Sequence, residues 1–188
     1  DRRRIGSISV CIVADGVSSE EGSKGASQLA VDVASEVIKD LVASLPATPS
    51  SAEIHQLLAT AVRRADSCIK ETARTSVNHK SMSTTLVIAL VIDYVLYVVH
   101  VGDSRAYLLR DQTLYRLTVD HTYVEEMISR HKLTRSQANT KVNRNVLTRY
   151  LGPGIQVEAD PRILDPQSTS ETPHFESQLT VKPGEIVL

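Results

Sequence analysis

Residues 83–107 read STTLVIALVIDYVLYVVHVGDSRAY, and this stretch decides the fold. Residues 85–92 are almost wholly apolar, which predicts a strand covered on both faces. After the break at Asp93-Tyr94, residues 95–101 predict a second apolar strand, rich in β-branched side chains. Gly102-Asp103-Ser104 interrupts the run, and residues 105–110 resume it as a third strand. Gly102 permits a backbone with positive φ, and Asp103 puts a carboxylate at a strand end. Taken alone, Asp103 also reads as a turn residue bonding its own backbone and paired with Arg105.

A second signal lies upstream. Residues 8–13 form another apolar run, and Asp15-Gly16 follows it almost at once. Two buried strands that each end in Asp beside Gly point to a shared acidic site. Carboxylate oxygens are hard donors, suited to Mg²⁺ or Mn²⁺.

Outward from this centre the elements alternate in blocks. Residues 5–13 predict a strand running into the core. Residues 22–45 carry Ala26, Leu29, Ala30, Val33, Val37 and Leu41 at helical spacing, and residues 46–49 end that helix with two prolines. Ser50 and Glu53 have capping-box spacing and open a second helix to about residue 77. Beyond the third central strand, Asp111-Gln112 predicts a turn and residues 114–117 a fourth strand. Residues 121–131 predict a helix, Thr134 and Gln137 cap a short one, and residues 145–151 a further short element. Residues 157–163 read as a strand, 165–173 as a loop, 178–181 as a strand, 182–185 as a turn and 186–188 as the start of another strand. Such grouping favours antiparallel sheet with segregated helices, an α+β class.

The chain has 188 residues, no Trp and one Phe, so aliphatic side chains must build the core. The length suits one domain over residues 1–188. A formal net charge of −1 gives no electrostatic reason for a nucleic-acid or acidic-membrane partner. No apolar run reaches a membrane span. Cys11 and Cys68 lack a framework spacing and read as small buried hydrophobes in a reducing, cytoplasmic protein. His55 and His79 read as surface histidines, and His100 as a packed strand residue. The first residues lead almost directly into a strand and the last stop within one, so the piece is expected to be part of a larger domain.

Five motifs carry a resemblance. VADG at residues 13–16, STTL at 83–86, HVGDSRAYLLRD at 100–111, LTVDHT at 117–122 and NRNVLTRYLG at 143–152 stand in one order. Together they resemble the bacterial branch of the metal-dependent protein serine/threonine phosphatases, the PP2C or PPM family. The resemblance implies an α-β-β-α sandwich of two antiparallel sheets flanked by helix pairs, incomplete here at both ends. It implies hydrolysis of phosphoserine and phosphothreonine by a metal-activated water, with two and possibly three Mn²⁺ or Mg²⁺ ions in the complete domain. Asp15 matches the carboxylate that bridges two metals, Gly16 the carbonyl beside it, and Asp103 a ligand of a third ion. Arg105 is expected to orient the Asp103 corner. Segment 118–150 corresponds to the family's flap. Partners would be phosphorylated proteins, substrates of a serine/threonine kinase. Val17, Ser18-Ser19 and Lys141-Val142 depart from the pattern, and the remaining acidic ligands would lie outside residues 1–188. The fragment alone is therefore expected to be inactive or nearly so. The alternative is a pseudophosphatase that binds phosphoproteins or another partner without hydrolysis.

Overall fold

In the computed structural model the central hairpin follows directly from its side chains. Strand β2 (Leu86–Ile92) pairs antiparallel with β3 (Val95–Val101), Leu86 opposite Val101 and Ile92 opposite Val95. The structure describes residues 7–17, 21–75, 81–139, 143, 145–168 and 173–188. Asp93 and Tyr94, at φ 48° and 66°, form the two-residue turn. Left-handed residues at both turn positions match the twist of the flanking strands. Side chains alternate along a strand, and both sets here are apolar. Leu86, Ile88, Leu90, Tyr97, Val99 and Val101 join one core cluster, while Val87, Ala89, Leu96 and Val98 join another. The unbroken apolar run is thus a sheet covered on two sides.

The first cluster is closed by a helix pair. α1 (Glu21–Ala43) contributes Ala26, Ala30, Ala34 and Ile38 to it. α2 (Ser51–Thr75) contributes Ile54, Leu58, Ala61, Val62, Ala65 and Ile69. The Ser50 N–H donates to Glu53 Oε2 at 2.7 Å and the Glu53 N–H to Ser50 Oγ at 3.3 Å, the expected capping box. Residues 76–80, which include His79 and the expected end of this helix, lie outside the described residues.

Strand β1 (Ile8–Val13) pairs antiparallel with β2, and β8 (Leu179–Thr180) lies on the far side of β3, giving the order β1-β2-β3-β8. A strand running into the core was expected over 5–13. Residues 5 and 6 lie outside the described residues; among those described, β1 instead lies at the sheet's edge, and most of its residues are exposed. Cys11, expected to be buried, is exposed. It faces the same side as its register partner Ala89. The second sheet covers Ala89 but does not extend over β1 among the described residues. Cys68 is half-buried on α2.

That second sheet has the order β5-β4-β9, from β4 (Tyr107–Arg110), β5 (Thr113–Arg116) and β9 (Ile186–Val187). Leu108 and Leu117 point to the inter-sheet core, with Ala106, Ile163 and Val181 around them. On the outer face Leu114 and Ile186 lie opposite Leu109 and are half exposed; no second helix pair covers them among the described residues. The expected third strand starts at Tyr107 rather than at 105, because residues 102–106 form the corner between the sheets.

The segment expected to be a flap holds α3 (Tyr123–Ser129) and α4 (Arg135–Asn139). Thr122 and Thr134 cap them, each hydroxyl accepting the N–H three residues on, Glu125 at 3.4 Å and Gln137 at 3.2 Å. Residues 145–151 form no strand and make only the isolated bridges Thr122–Leu147 and Thr84–Leu151. The strand expected over 157–163 appears only at its end, as β6 (Ile163–Leu164), which pairs with β7 (Phe175–Glu176), a strand not expected from the sequence. No helix among the described residues is long and apolar enough to cross a membrane.

Candidate metal centre

The start of β2 lies between the ends of β1 and β3, and this brings the Asp15-Gly16 and Gly102-Asp103 corners side by side. The Thr85 N–H donates to the Asp15 carbonyl at 2.9 Å, and the Asp15 N–H donates to Thr85 Oγ1 at 3.0 Å. Thr84 Oγ1 donates to the same Asp15 carbonyl at 2.9 Å. Thr85 Oγ1 also shares a hydrogen bond of 2.6 Å with Ser104 Oγ. One threonine hydroxyl therefore ties the backbone of Asp15 to the loop that carries Asp103. Gly102, at φ 102°, packs against the same threonine; a Cβ there would lie 2.6 Å from Thr85 Cγ2.

With its backbone held, Asp15 presents an exposed carboxylate that no described residue bonds. Gly16 bridges Thr84 in a pattern whose ladder bonds pass through Asp15 and Val17, so its own carbonyl lies outside the ladder. Asp103 is half-buried, and its carboxyl is raised above the usual carboxylate range. Burial is the main cause, followed by the negative charges of Asp120 and then Asp15. Asp120 is itself paired, with Arg105 at 3.1 and 2.8 Å and with Arg116, and the charge of Arg105 offsets only part of its effect on Asp103. Arg105 was expected to orient the Asp103 corner. Its guanidinium goes to Asp120 and the Tyr107 hydroxyl instead, since that carboxylate is the one its planar fork can meet with two bonds. Among the described residues neither Asp15 nor Asp103 is in an ion pair. Hard oxygen donors of this kind fit Mg²⁺ or Mn²⁺.

A second polar cluster was not anticipated. His100, His121 and Asp160 are all buried, and their ligand-type atoms lie within 4.8 Å of one another. Hydrogen bonds, however, have already claimed these groups. His121 Nδ1 accepts the Gly102 N–H at 3.1 Å, so the proton of the neutral ring is on Nε2, 3.3 Å from Asp160 Oδ2. His100 Nε2 donates to the Val119 carbonyl at 2.8 Å, which leaves its buried Nδ1 without a partner. Both Asp160 oxygens accept from Arg162. The imidazole rings are stacked, 4.5 Å apart and 11° from parallel, so their in-plane lone pairs do not converge on one point. The cluster has the composition of a metal site but the bonding of a structural relay. Burial, and then the neighbouring His121, pull the His100 pKa down to about 4. Burial alone would raise the Asp160 carboxyl, but the bonds from Arg162 and His121 overcome it and hold the group well below the usual range. His100 was read only as a packed strand residue, which its 1% exposure supports. His100 near the end of β3 and His121 just before α3 were the available signals for the rest.

Beside this relay a cleft of about 1230 Å³ runs between the α3–α4 segment and the β6–β7 ribbon. Arg116, Asp120, His121, Glu125, Lys132 and Arg149 line part of it, whereas Asp15 and Asp103 do not. Lys132 and Arg149 have no side-chain partner among the described residues. His55, expected at the surface, bonds the Ser177 carbonyl at 2.9 Å and meets Tyr97 edge to face.

A helix pair on two stacked antiparallel sheets, with two acidic corners at one end, is the α+β sandwich that the sequence resemblance implies. The sequence pattern of the protein phosphatase 2C family matches residues 3–160, and the chain belongs to that family. It is 32% identical over 160 residues to the serine/threonine phosphatase stp of Listeria welshimeri, covering 85% of this chain and 62% of that one. The chain thus spans less than two thirds of this relative's length. The crystal structure of the Mycobacterium tuberculosis serine/threonine phosphatase PstP superposes with a TM-score of 0.69 at 26% identity, over 100% of this chain and 73% of that one. A second structure, of the PstP catalytic domain in complex with two manganese ions, has a TM-score of 0.62 at 24% identity, over 100% of this chain and 72% of that one.

Proposed function

We propose that the chain is the greater part of a protein serine/threonine phosphatase domain, and that Asp15, Gly16 and Asp103 are its share of the metal centre. The observation that carries the reading is a pair of carboxylates, neither in an ion pair among the described residues, whose corners Thr85 joins at one strand end. A divalent cation bound there supplies Lewis acidity and acidifies water near neutral pH. The chain's own part is to hold donors still. Asp15 offers both carboxylate oxygens because its backbone is fixed by Thr84 and Thr85. Gly16 has no side chain to stand between its carbonyl and an ion. Asp103 gives up its proton more readily when a cation replaces it. The Arg105–Asp120–Arg116 group absorbs a third negative charge that would otherwise compete for the cation.

The substrates would be phosphorylated proteins, products of a serine/threonine kinase, entering beside the flap. The cleft there carries Lys132 and Arg149, cations that suit a phosphorylated segment. Both cysteines are free, in keeping with a reducing, cytoplasmic setting. The test is turnover of a phosphothreonine peptide by the full-length parent protein with Mn²⁺, before and after Asp15→Ala and Asp103→Ala. Asp15→Ala is expected to abolish turnover and Asp103→Ala to raise the Mn²⁺ needed for it. Unchanged turnover in Asp15→Ala overturns the metal assignment. Peptide bound without turnover by the unaltered parent overturns the enzyme reading in favour of a pseudophosphatase.

A further inference from the structure

Gly102 commits both of its backbone groups to one residue. Its N–H donates to His121 Nδ1 at 3.1 Å, and its carbonyl accepts the His121 N–H at 3.0 Å. His121 is in turn held by Asp160 Oδ2. Asp160 is fixed on two sides. Its backbone exchanges hydrogen bonds of 3.0 Å in both directions with His100, and its carboxylate accepts from the Arg162 N–H at 3.0 Å and from its guanidinium. His121 and Asp160 are 6% and 4% exposed, so water does not compete for these bonds. The row runs from Arg162 at the surface, through two buried side chains, to the peptide preceding Asp103.

Glycine is the residue least able to hold its own conformation, and Gly102 stands directly before a candidate ligand. An imidazole answers this need because one ring nitrogen accepts a peptide N–H while the other donates to a carboxylate. We infer that His121 and Asp160 are positioning residues for the Gly102–Asp103 corner, and that through it they set how tightly Asp103 holds a divalent cation. The second half rests on the metal-centre reading above; the first does not. Partners that orient a ligand from behind it change metal affinity without touching the ion.

The variants separate the two bonds of the ring. His121→Asn keeps an acceptor near the Nδ1 position but is too short to reach Asp160. His121→Phe keeps the stacked ring and loses both bonds. Asp160→Asn removes the charge that anchors the imidazole. In the isotope-labelled chain without metal, a scalar coupling across the hydrogen bond between Gly102 N and His121 Nδ1 is expected in the wild type. Exchange of the Gly102 amide is expected to quicken in His121→Phe and Asp160→Asn. On titration with Mn²⁺, paramagnetic broadening of the Gly102 and Ser104 amides should need roughly tenfold more metal in these two variants. His121→Asn should lie closer to the wild type than His121→Phe. Absence of the coupling in the wild type overturns the positioning role, and that measurement needs no variant to fold. An unchanged Mn²⁺ midpoint in folded His121→Phe overturns the link to affinity. If Mn²⁺ broadens no amide around Asp103 in the wild type, the metal-centre reading fails, and the coupling and exchange still decide the positioning role.

Discussion

Replacing Gly102 by Ala tests the contact on which the acidic corner is built. The backbone at φ 102° is one that a side chain tolerates poorly, and that strain costs about 1–3 kcal/mol. The new Cβ would also lie 2.6 Å from Thr85 Cγ2, 2.8 Å from its Cβ and 3.2 Å from its Cα. Two of these distances fall below anything a real Cβ contact allows, so β2 and the corner must part. Overpacking of this kind adds about 1–3 kcal/mol. The sum, about 2–6 kcal/mol, is a large share of the ~5–15 kcal/mol that holds a typical domain together. Gly184→Ala is the control: its φ is 90°, but nothing lies within 4 Å of the added Cβ. It should carry the strain without the clash. Urea unfolding followed by far-ultraviolet circular dichroism gives both values. Gly102→Ala is expected to lose at least about 1 kcal/mol more than Gly184→Ala, with an unchanged denaturant slope. Thr85→Ser, which removes Cγ2 and keeps the bridging hydroxyl, should recover about 1 kcal/mol of the loss in the double variant. Equal losses at positions 102 and 184 would refute the packing of Gly102 on Thr85. So would the absence of coupling with Thr85→Ser.

Three further outcomes follow from other parts of the fold. Ser50→Ala should cost about 1 kcal/mol by uncapping α2, read as a shift in the urea midpoint. Asp66→Ala should cost about 1–3 kcal/mol, because Asp66 Oδ1 accepts the buried Gly152 N–H at 2.9 Å and that donor would be left unpaired; Ser50→Ala and Asp66→Ala should add independently. His100 has a depressed folded-state pKa, so its contribution is present above the unfolded value near 6.5 and is lost as pH falls toward about 4. Wild-type stability should therefore decline by up to about 3 kcal/mol across that window, and His100→Phe should flatten the decline. A parallel decline in both proteins would count against it.

What the sequence made legible was whatever a single element could state for itself. The apolar run over 86–92 announced a strand buried on both faces, and Ser50 with Glu53 announced a helix start, because each signal is local. The corners at Asp15 and Asp103 were legible as carboxylates beside glycine at the ends of apolar runs. Partner choice was not. Arg105 bonds Asp120, 15 residues on, and His121 meets Asp160, 39 residues on; no spacing encodes either pairing. The two-residue strands β6 and β7 are too short to carry a period. Cys11 looked buried because its strand is apolar, yet burial also needs a neighbour over that face, and a strand's own composition does not supply one.

Thr85 joins one partner 19 residues away and another 70 residues away, and this difference gives the site an order of assembly. The β2–β3 hairpin closes through a two-residue turn and brings Ser104 to Thr85 with it. β1 reaches β2 only after a loop containing both long helices has closed, and such distant pairings form slowly. The Asp103 corner is therefore built early, and Asp15 docks late. A chain still lacking its β1 contact holds half of the donor pair and cannot retain an ion between the two. Any cation that requires both carboxylates selects chains that have finished folding, and it stabilises them by mass action against reopening at β1.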